Sequence, residues 1–350
     1  MLSLLLPVSI LVTIGLVALS SIAPHLFFLQ LIWVAVGAGL IAFFFFVDWR
    51  LILNYRWVIG GIYLAAVALL VLVYFTAAPV RGVRSWISLG PVNFQPVELA
   101  KIGLVLVLAS YFSRRHLEIA RWKNIFASFI FFVVPAALTA IQPDLGSAAI
   151  LFGIWFGFLL FSGLPKKRIL VFAMLFLVVA ALFWFSFLKD YQKDRILGVF
   201  YPERDALGAN YSVIQSKIAI GSAGFWGKGY GQGMQTQLGF LTEPAGDFIF
   251  AAVIEEFGVF GGLAALGAFI ALVFKILSTG MNAKRNFERF VVLGVASAFS
   301  LQFLFNVGSA LGVTPVVGLT FPFLSYGGSS IVTSFFLLSL VGAISRTKHV

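Results

Sequence analysis

Cysteine is absent from this sequence of 350 residues, which excludes disulfide bonds, thiolate metal sites and cysteine nucleophiles. Only three histidines are present, and they are scattered along the chain, so no histidine cluster for a metal is predicted. Acidic residues are also scarce, with 13 Asp and Glu in total. Any carboxylate next to an apolar run is therefore a candidate for a specific role, because placing a charge in a bilayer costs about 2.5–3.5 kcal/mol.

Apolar residues, by contrast, make up 61% of the chain, with 40 Phe among them, and the mean hydropathy is +1.04. They form long uninterrupted runs rather than alternating patterns, which favours membrane-spanning helices over a barrel. We predict an all-α, polytopic membrane protein with a single domain, residues 1–350. The ten predicted spans are residues 3–22, 26–47, 57–76, 97–112, 125–141, 146–163, 168–188, 247–277, 290–310 and 328–345.

The net charge of +11 would suggest a nucleic-acid partner in a soluble protein. In a membrane protein, Lys and Arg concentrate in cytoplasmic loops. Most of the 24 basic residues fall into alternate loops between the predicted spans. We therefore predict that both termini are cytoplasmic and that no nucleic acid is bound. The first apolar run has no basic leader and no cleavage site, so we expect a retained span in the cytoplasmic membrane.

Two loops on the predicted outer side are longer than a connection requires. The first covers about residues 77–96, and the second covers about residues 189–246. Within the second, residues 210–220 have apolar side chains at helical spacing and predict a short interfacial helix. A glycine-rich run follows at residues 221–233. Loops of this kind commonly carry functional residues.

Four predicted spans begin on the outer side, and polar residues stand at each start. Helix N-termini have unpaired N–H groups and a partial positive charge, so they favour an anion. If the four starts converge, they form a site for a phosphate or diphosphate group. The four starts are residues 95–98, 142–146, 246–247 and 325–330.

The charged residues at these starts also have structural interpretations. Asp144 and Asp247 are good N-caps, and capping alone contributes about 1 kcal/mol. Glu98 and Lys101 are three residues apart on a predicted helix and can form a structural ion pair. Lys101 nevertheless falls within a predicted span, where ionisable residues are usually functional.

Other polar positions have two interpretations as well. Glu255 and Glu256 fall two turns below Asp247, and we expect them near mid-membrane or deeper, either hydrogen-bonded to another span or active in chemistry. Arg84 suits an interfacial anchor or a phosphate-binding residue. The start of the last span is rich in small residues, which suit either a plain loop-to-helix transition or close approach of a lipid head group. These small residues are Ser325, Gly327, Gly328 and Ser329.

Five strings occur in order along the chain: FQPVELAK (94–101), QPDLGS (142–147), QSKIAIGS (215–222), DFIFA (247–251) and PFLSYGGSS (322–330). With ten spans, they resemble the SEDS (shape, elongation, division and sporulation) family over essentially the whole chain. The stretch from Lys217 to Gly229 resembles the elongation branch of that family more than the division branch.

The resemblance implies a peptidoglycan glycosyltransferase that polymerises lipid II on the outer face of the bacterial cytoplasmic membrane during cell elongation. It also implies partners: a class B penicillin-binding protein that crosslinks the product, and other membrane proteins of the elongation complex. In the family, the aspartate matching Asp247 is essential. Further functionally important residues match Arg84, Glu98, Lys101 and Asp144.

One stretch departs from the family pattern. Members commonly have a Pro-Glu-x-His-Thr run before the essential aspartate, whereas residues 242–246 here are TEPAG. A role of His and Thr in proton relay or in orienting the aspartate is therefore not carried over. Glu243 is the acidic residue that remains in this run to share such work.

The implied chemistry gives each residue a hypothetical role. A sugar hydroxyl attacks an anomeric carbon that carries a diphosphate, with inversion, which requires a base and positive charge for the leaving group. We assign Asp247 as the base, Glu98 as the residue that orients Lys101, and Asp144 as a residue that positions substrate or supports the outer face. The groups expected to hold the diphosphate are the helix N-termini, Arg84, Lys101 and Lys217. The sequence requires no cofactor, and a divalent cation on the diphosphate is compatible with it.

Two other functions remain open at this level. A flippase for a lipid-linked precursor would also need apolar grooves and a polar pocket, although the charges gather at the outer ends of the spans rather than along a path through the bilayer. A non-enzymatic scaffold that activates a partner synthase would tolerate neutral substitution of Asp247.

Overall fold

The computed structural model describes residues 2–47, 49–53, 55–78, 83–90, 92–116, 118–119, 121–186, 188–208 and 210–346. Almost all regular structure in these residues is helical. The helices are α1 (Leu2–Ile22), α2 (Pro24–Phe46), α3 (Trp49–Leu53), α4 (Arg56–Thr76), α5 (Pro96–Ser113), α6 (Trp122–Ile141), α7 (Leu145–Phe161), α8 (Lys166–Ser186), α9 (Asp190–Phe200), α10 (Tyr211–Ser222), α11 (Met234–Gln237), α12 (Ile249–Met281), α13 (Asn286–Leu311) and α14 (Gly328–Arg346). A short 3-10 helix covers Pro202–Asp205, and the strands β1 (Ile87–Leu89) and β2 (Val92–Phe94) form an antiparallel hairpin.

Each of the ten predicted spans corresponds to one helix, which confirms the all-α, polytopic fold. Within the described residues, nine helices are long and apolar enough to cross a membrane, and α7 is a shorter apolar helix of 17 residues. Consecutive spans run in opposite directions, so α5, α7, α12 and α14 begin at the same end of the bundle. We refer to this end, which also carries the segment between α8 and α12, as the upper end.

The long segment between α8 and α12 is largely helical. The interfacial helix predicted at residues 210–220 is present as α10, whereas α9 and α11 were not predicted. Ser216 of α10 donates a hydrogen bond from its hydroxyl to the carbonyl oxygen of Ala310, at 2.7 Å, near the end of α13. The segment is thereby fixed to the upper end of the bundle.

The centre of the bundle is formed by α5, α13 and α14, which have the largest buried fractions among the candidate spans. The periphery includes α2 and α8. Among the described side chains in the most apolar part of α8, none is buried. Phe172 of this helix contacts Trp122 and Trp155. An apolar helix with so little protein around it is covered mainly by lipid.

The helix α12 is broken at Gly258, whose φ of 70° lies in the left-handed region. A Cβ at this position would lie 2.1 Å from the carbonyl oxygen of Phe225. The break frees backbone groups that the glycine-rich run satisfies: Lys228 N–H donates to Glu255 O at 2.8 Å, and Gly229 N–H donates to Glu256 O at 3.0 Å. The glycine-rich run is therefore part of the bundle rather than a free loop.

We predict that Gly258→Ala lowers the stability of the protein by about 1–3 kcal/mol, because a side chain is strained at this φ and collides with the backbone at Phe225. The measurement is the midpoint of thermal unfolding in detergent. Gly267→Ala is the matched control, because Gly267 lies in the same helix with open space where a Cβ would be. An unchanged midpoint for Gly258→Ala would contradict the prediction.

Candidate active site

Asp247 is half-buried and lies two residues before the start of α12. Phe248 occupies the N-cap position, so the interpretation of Asp247 as the N-cap was wrong. The Asp247 carboxylate faces the segment of residues 312–327 between α13 and α14, because a Cβ on Gly318 would lie 3.9 Å from Asp247 Oδ2. The neighbouring carbonyl oxygen of Val317 lies so close to Gly146 that a Cβ there would be 2.2 Å from it. The start of α7 and Asp247 therefore contact adjacent residues of the 312–327 segment, Val317 and Gly318.

The backbone around Asp247 is held by a buried amide from the middle of the bundle. Asn306 of α13 is 1% exposed. Its Nδ2 donates to the carbonyl oxygens of Leu319 at 2.8 Å and Asp247 at 3.1 Å. One side chain thus joins the 312–327 segment to the start of α12 and fixes the position of Asp247.

Ser325 and Tyr326 make a second connection between these two segments. The Ser325 hydroxyl donates to the carbonyl oxygen of Gly246 at 2.8 Å and accepts from Phe321 N–H at 2.9 Å. Tyr326 N–H donates to the carbonyl oxygen of Ala245 at 2.8 Å. Ser325 was predicted to bind substrate, and the structure gives its buried hydroxyl a positioning role in these contacts.

The starts of α5, α7 and α14 are joined through Gln95. Its backbone N–H donates to the Ser329 hydroxyl at 3.1 Å, and its side-chain Nε2 donates to Asp144 Oδ2 at 3.0 Å. Ser329 in turn donates to the carbonyl oxygen of Asn93 at 3.0 Å. Together with the contacts of Ser325, these bonds bring all four predicted helix starts together at the upper end.

Asp144 caps α7, as its position before the helix predicted. Its Oδ1 accepts from Ser147 N–H at 3.0 Å, and its Oδ2 accepts from the Ser147 hydroxyl at 2.8 Å. Burial raises the pKa of the Asp144 carboxyl, whereas the bonds from Ser147 and the charge of Lys101 oppose this rise. Capping accounts for much of the bonding of Asp144, and Gln95 adds a link to the neighbouring helix.

Glu98 and Lys101 form an ion pair on α5, with 2.8 Å between Lys101 Nζ and Glu98 Oε2, and both side chains are buried. The charge of Lys101 also reaches Asp144, where it favours the ionised carboxylate. A buried ion pair is poor evidence for stability, because desolvation offsets most of its attraction. A basic group retained near two carboxylates is therefore better explained by a role at the site.

The remaining predicted residues are Arg84, Lys217, Gly327 and Gly328. Arg84 is exposed, ahead of β1. Lys217 is exposed on α10, and its Nζ would lie 2.5 Å from a Cβ on Gly312, the left-handed C-cap of α13. A cation at this helix end is electrostatically favourable, so Lys217 has a structural role alongside its predicted one. Gly327 lies next to Thr320, and Gly328 packs against the indole of Trp33.

The depth expected for Glu255 and Glu256 was wrong. Both are 1% exposed, but the Glu256 carboxylate contacts the hydroxyl of Ser21, in the last turn of α1. They therefore lie near the upper end rather than near mid-membrane. The reason is the length of α12, which has 33 residues and extends beyond the bilayer core.

Several positioning residues escaped the sequence analysis. Asn306 and Gln30 are amides inside apolar helices, and Gln30 Nε2 donates to the carbonyl oxygen of Ser325 at 3.1 Å. Gln95 lies in the FQPVELAK motif, in which the sequence analysis considered mainly the charged residues Glu98 and Lys101. The sequence feature that could have identified these residues is an uncharged amide in or beside a predicted span, because a buried amide requires a hydrogen-bond partner.

An apolar groove lies beside the cluster. Its volume is 720 Å³, and its walls come from α7, α8, α12 and α13. Leu145 and Phe161, the two ends of α7, both line it, so it extends along the whole of that helix. The groove begins at Leu145, the residue that follows Asp144, so an apolar surface lies directly below the polar cluster.

No group of three or more His, Asp or Glu side chains in the described part of the chain is arranged to hold a metal ion. A divalent cation on the diphosphate would then take its ligands from the phosphate oxygens and water. The cation remains a prediction of the sequence analysis.

The chain is similar to a protein family, to individual relatives and to solved structures. A family model described as cell cycle protein, FtsW/RodA/SpoVE, matches residues 1–350. The peptidoglycan glycosyltransferase MrdB of Escherichia coli strain K12 is 38% identical over 273 residues, covering 77% of this chain and 73% of MrdB. The probable peptidoglycan glycosyltransferase FtsW of Haemophilus influenzae is 38% identical over 293 residues, covering 82% of this chain and 73% of FtsW.

Two solved structures are similar over nearly their whole length. One belongs to a peptidoglycan synthase complex studied for coordination of polymerization and crosslinking, with a TM-score of 0.85, 33% identity, and coverage of 100% of this chain and 98% of that one. The other is the rod shape determining protein RodA of Thermus thermophilus, with a TM-score of 0.74, 29% identity, and coverage of 99% and 97%.

We predict that Asn306→Asp destabilises the protein by about 1–3 kcal/mol, because an acceptor replaces the buried donor that binds the carbonyl oxygens of Asp247 and Leu319. Asn282→Asp is the control, since its amide bonds only the carbonyl oxygen of Ser278 at an exposed site. Thermal unfolding in detergent measures both. Equal midpoints for the two variants would argue against a positioning role of Asn306.

Proposed function

The chain belongs to the FtsW/RodA/SpoVE family of cell cycle proteins, the SEDS family, and we propose that it is a peptidoglycan glycosyltransferase that polymerises lipid II during cell elongation. The observation that carries the proposal is the convergence of four helix N-termini around Asp247 and Lys101, directly above an apolar groove. The likeness to glycosyltransferases named MrdB and FtsW supports the activity. The likeness to a rod shape determining protein supports the elongation branch.

The site offers one group for each requirement of the reaction. The Asp247 carboxylate accepts the proton of the attacking sugar hydroxyl, which contributes about 10²–10⁴-fold. The bond from that oxygen to the anomeric carbon forms as the bond to the diphosphate breaks, with inversion. Positive charge then stabilises the departing diphosphate. The helix N-termini, Lys101, Arg84 and Lys217 supply this charge.

Glu98 and Asp144 complete the arrangement around the reacting groups. Glu98 holds the Lys101 ammonium through the 2.8 Å ion pair. Asp144 fixes the start of α7 and, through Gln95, its position beside α5. The polyprenyl tail of one substrate lies in the groove between α7 and α13, with its diphosphate at the helix starts above it.

The proposal places the upper end on the outer side of the bacterial cytoplasmic membrane and both termini in the cytoplasm, following the distribution of basic loops. The partner is a class B penicillin-binding protein, because the similar synthase complex couples polymerization to crosslinking. Other membrane proteins of the elongation complex are further partners.

A flippase is less well supported than an enzyme. Apart from the ion pair of Glu98 and Lys101, which lies within the first two turns of α5, the charged residues of the candidate site lie outside the membrane-spanning helices. No charged or polar path through the bilayer is formed by the described residues that line the groove, which are almost all apolar. A scaffold without activity would not require the buried ion pair or Asp247.

We predict that Asp247→Asn abolishes polymerisation of lipid II, because an amide cannot accept the proton. The assay uses the purified protein in complex with its partner transpeptidase, whose active-site serine is substituted, and resolves glycan strands by gel. Asp190→Asn, an exposed site in the same long segment, is the matched control. Strands from Asp247→Asn would remove it as the base and direct attention to Glu243. Strands from neither wild type nor variant would favour lipid translocation.

We predict that Ala149→Phe raises the KM for lipid II roughly tenfold, because a ring in the groove removes about 60 Å² of tail contact at about 25 cal/mol per Å². The effect should shrink for a lipid II analogue with a short prenyl chain, which reaches less of the groove. Ala65→Phe, on the exposed face of α4, is the control. Equal KM values for Ala149→Phe and wild type with the long-chain substrate would place the tail elsewhere.

A further inference from the structure

The reaction proposed above leaves several buried carboxylates unused, among them Glu255 and Glu256. Glu255 and Glu256 are adjacent, each is 1% exposed, and both lie in the short helical stretch of α12 before the break at Gly258. Burying two neighbouring carboxylates costs desolvation free energy unless each is well hydrogen-bonded. In a protein with 13 acidic residues, such a pair stands out. Their partners lie in the preceding segment rather than on the substrate side of the bundle.

Glu255 binds the start of α11. Its Oε1 accepts from Gln235 N–H at 2.7 Å, and its Oε2 accepts from Thr236 N–H at 3.1 Å. Gly233 lies beside this carboxylate, because a Cβ there would be 2.7 Å from Glu255 Oε2. The carboxylate thus satisfies two backbone donors that the short helix leaves free.

Glu256 binds three different parts of the chain. Its Oε1 accepts from Gly231 N–H at 3.2 Å and from Gln237 Nε2 at 3.3 Å. The same oxygen accepts from the hydroxyl of Ser21 in α1. The glycine-rich run, the end of α11 and the first span are therefore joined at one carboxylate. We refer to Glu255, Glu256 and the residues they bind as the carboxylate clamp.

The clamp binds the start of the loop formed by residues 234–248, and Asp247 lies near the end of the same loop. After α11, Leu241 N–H returns to the carbonyl oxygen of Gln235 at 2.8 Å, and the Leu241 side chain is buried. The chain then turns at Glu243, whose carbonyl oxygen accepts from Phe248 N–H at 3.3 Å. It finally enters α12, which carries the clamp two turns later.

We propose that Glu255 and Glu256 are positioning residues for polymerisation: they fix α11 and the glycine-rich run so that the loop of residues 234–248 presents Asp247 in one orientation. This inference rests on the proposed function, and it assigns no contact with substrate to either residue. Loss of the clamp frees one end of the loop, while the contacts of Ser325 and Asn306 hold the other. Because Asn306 and Ser325 still bond the backbone carbonyl groups of Asp247 and Gly246, the fold persists, and it is the orientation of the Asp247 carboxylate that the freed loop no longer fixes.

We expect Glu255→Gln and Glu256→Gln to lower kcat for lipid II polymerisation by about ten- to a hundredfold, because a misplacement of about 1 Å costs about 10²-fold in rate. The KM should stay within about twofold of wild type, because the diphosphate and tail sites are untouched. Hydrogen exchange followed by mass spectrometry should show faster exchange in peptides covering residues 228–248. The assay uses the complex with the inactivated transpeptidase.

Glu118→Gln is the matched control, because Glu118 is an exposed carboxylate at the opposite end, paired with Arg121. It should change neither kcat nor exchange in residues 228–248. If the Glu255 and Glu256 variants fail to fold, the double variant Ser21→Ala/Gln237→Ala removes two donors to Glu256 and leaves both acids in place. It should lower kcat in the same direction with a smaller effect.

Faster exchange in residues 228–248 together with a lower kcat and unchanged KM would support the positioning role. Faster exchange with unchanged kcat would overturn it, and so would a lower kcat with unchanged exchange, which would give the acids a direct part in chemistry. A change in KM alone would also overturn it. Absence of polymerisation by the wild-type complex would instead contradict the proposed function itself, which separates the two failures.

Discussion

Irregular backbone in a membrane protein persists only where each polar group finds a partner within the protein, because lipid offers none. The upper end of this bundle depends on that constraint. The 312–327 segment and the stretch before α12 are both irregular, and Asn306, Ser325 and Tyr326 bond their carbonyl oxygens across the gap between them. The same constraint governs the break at Gly258, whose freed carbonyl groups are bonded by the glycine-rich run.

The polar residues of the upper end fall into two groups, those that bond neighbouring elements and those that face the site. Asn306, Ser325 and the two acids of the carboxylate clamp are buried and bond the backbone of neighbouring elements, and Gln95 bonds the carboxylate of Asp144. Asp247 is half-buried and faces Gly318, where a missing side chain leaves room beside the carboxylate. The proposed chemistry therefore falls to a small number of groups, and a larger set of uncharged and acidic residues supports them, as preorganised sites require.

The geometry also explains why the polar site and the apolar groove occur together. An amphiphilic lipid diphosphate needs positive charge and helix N-termini for its head group, and an apolar surface for its tail. The helix α7 supplies both, since Asp144 caps its start within the polar cluster and its length lines the groove.

The sequence by itself determined the ten helices, their alternating directions, α10 and the polar helix starts, because apolar runs of membrane length and N-terminal Asp, Ser and Pro residues act locally. It also placed Glu98 and Lys101 on one helix face, three residues apart, where an ion pair is set by helix geometry alone. Only the tertiary structure decided that the four starts converge, since convergence depends on Gln95, Ser325 and Asn306 bonding residues far away in the chain. The same holds for Glu255 and Glu256, whose depth follows from the length of α12 and whose partners depend on a break at one glycine. Local patterns carry no information on such long-range pairing, because it arises from packing between helices.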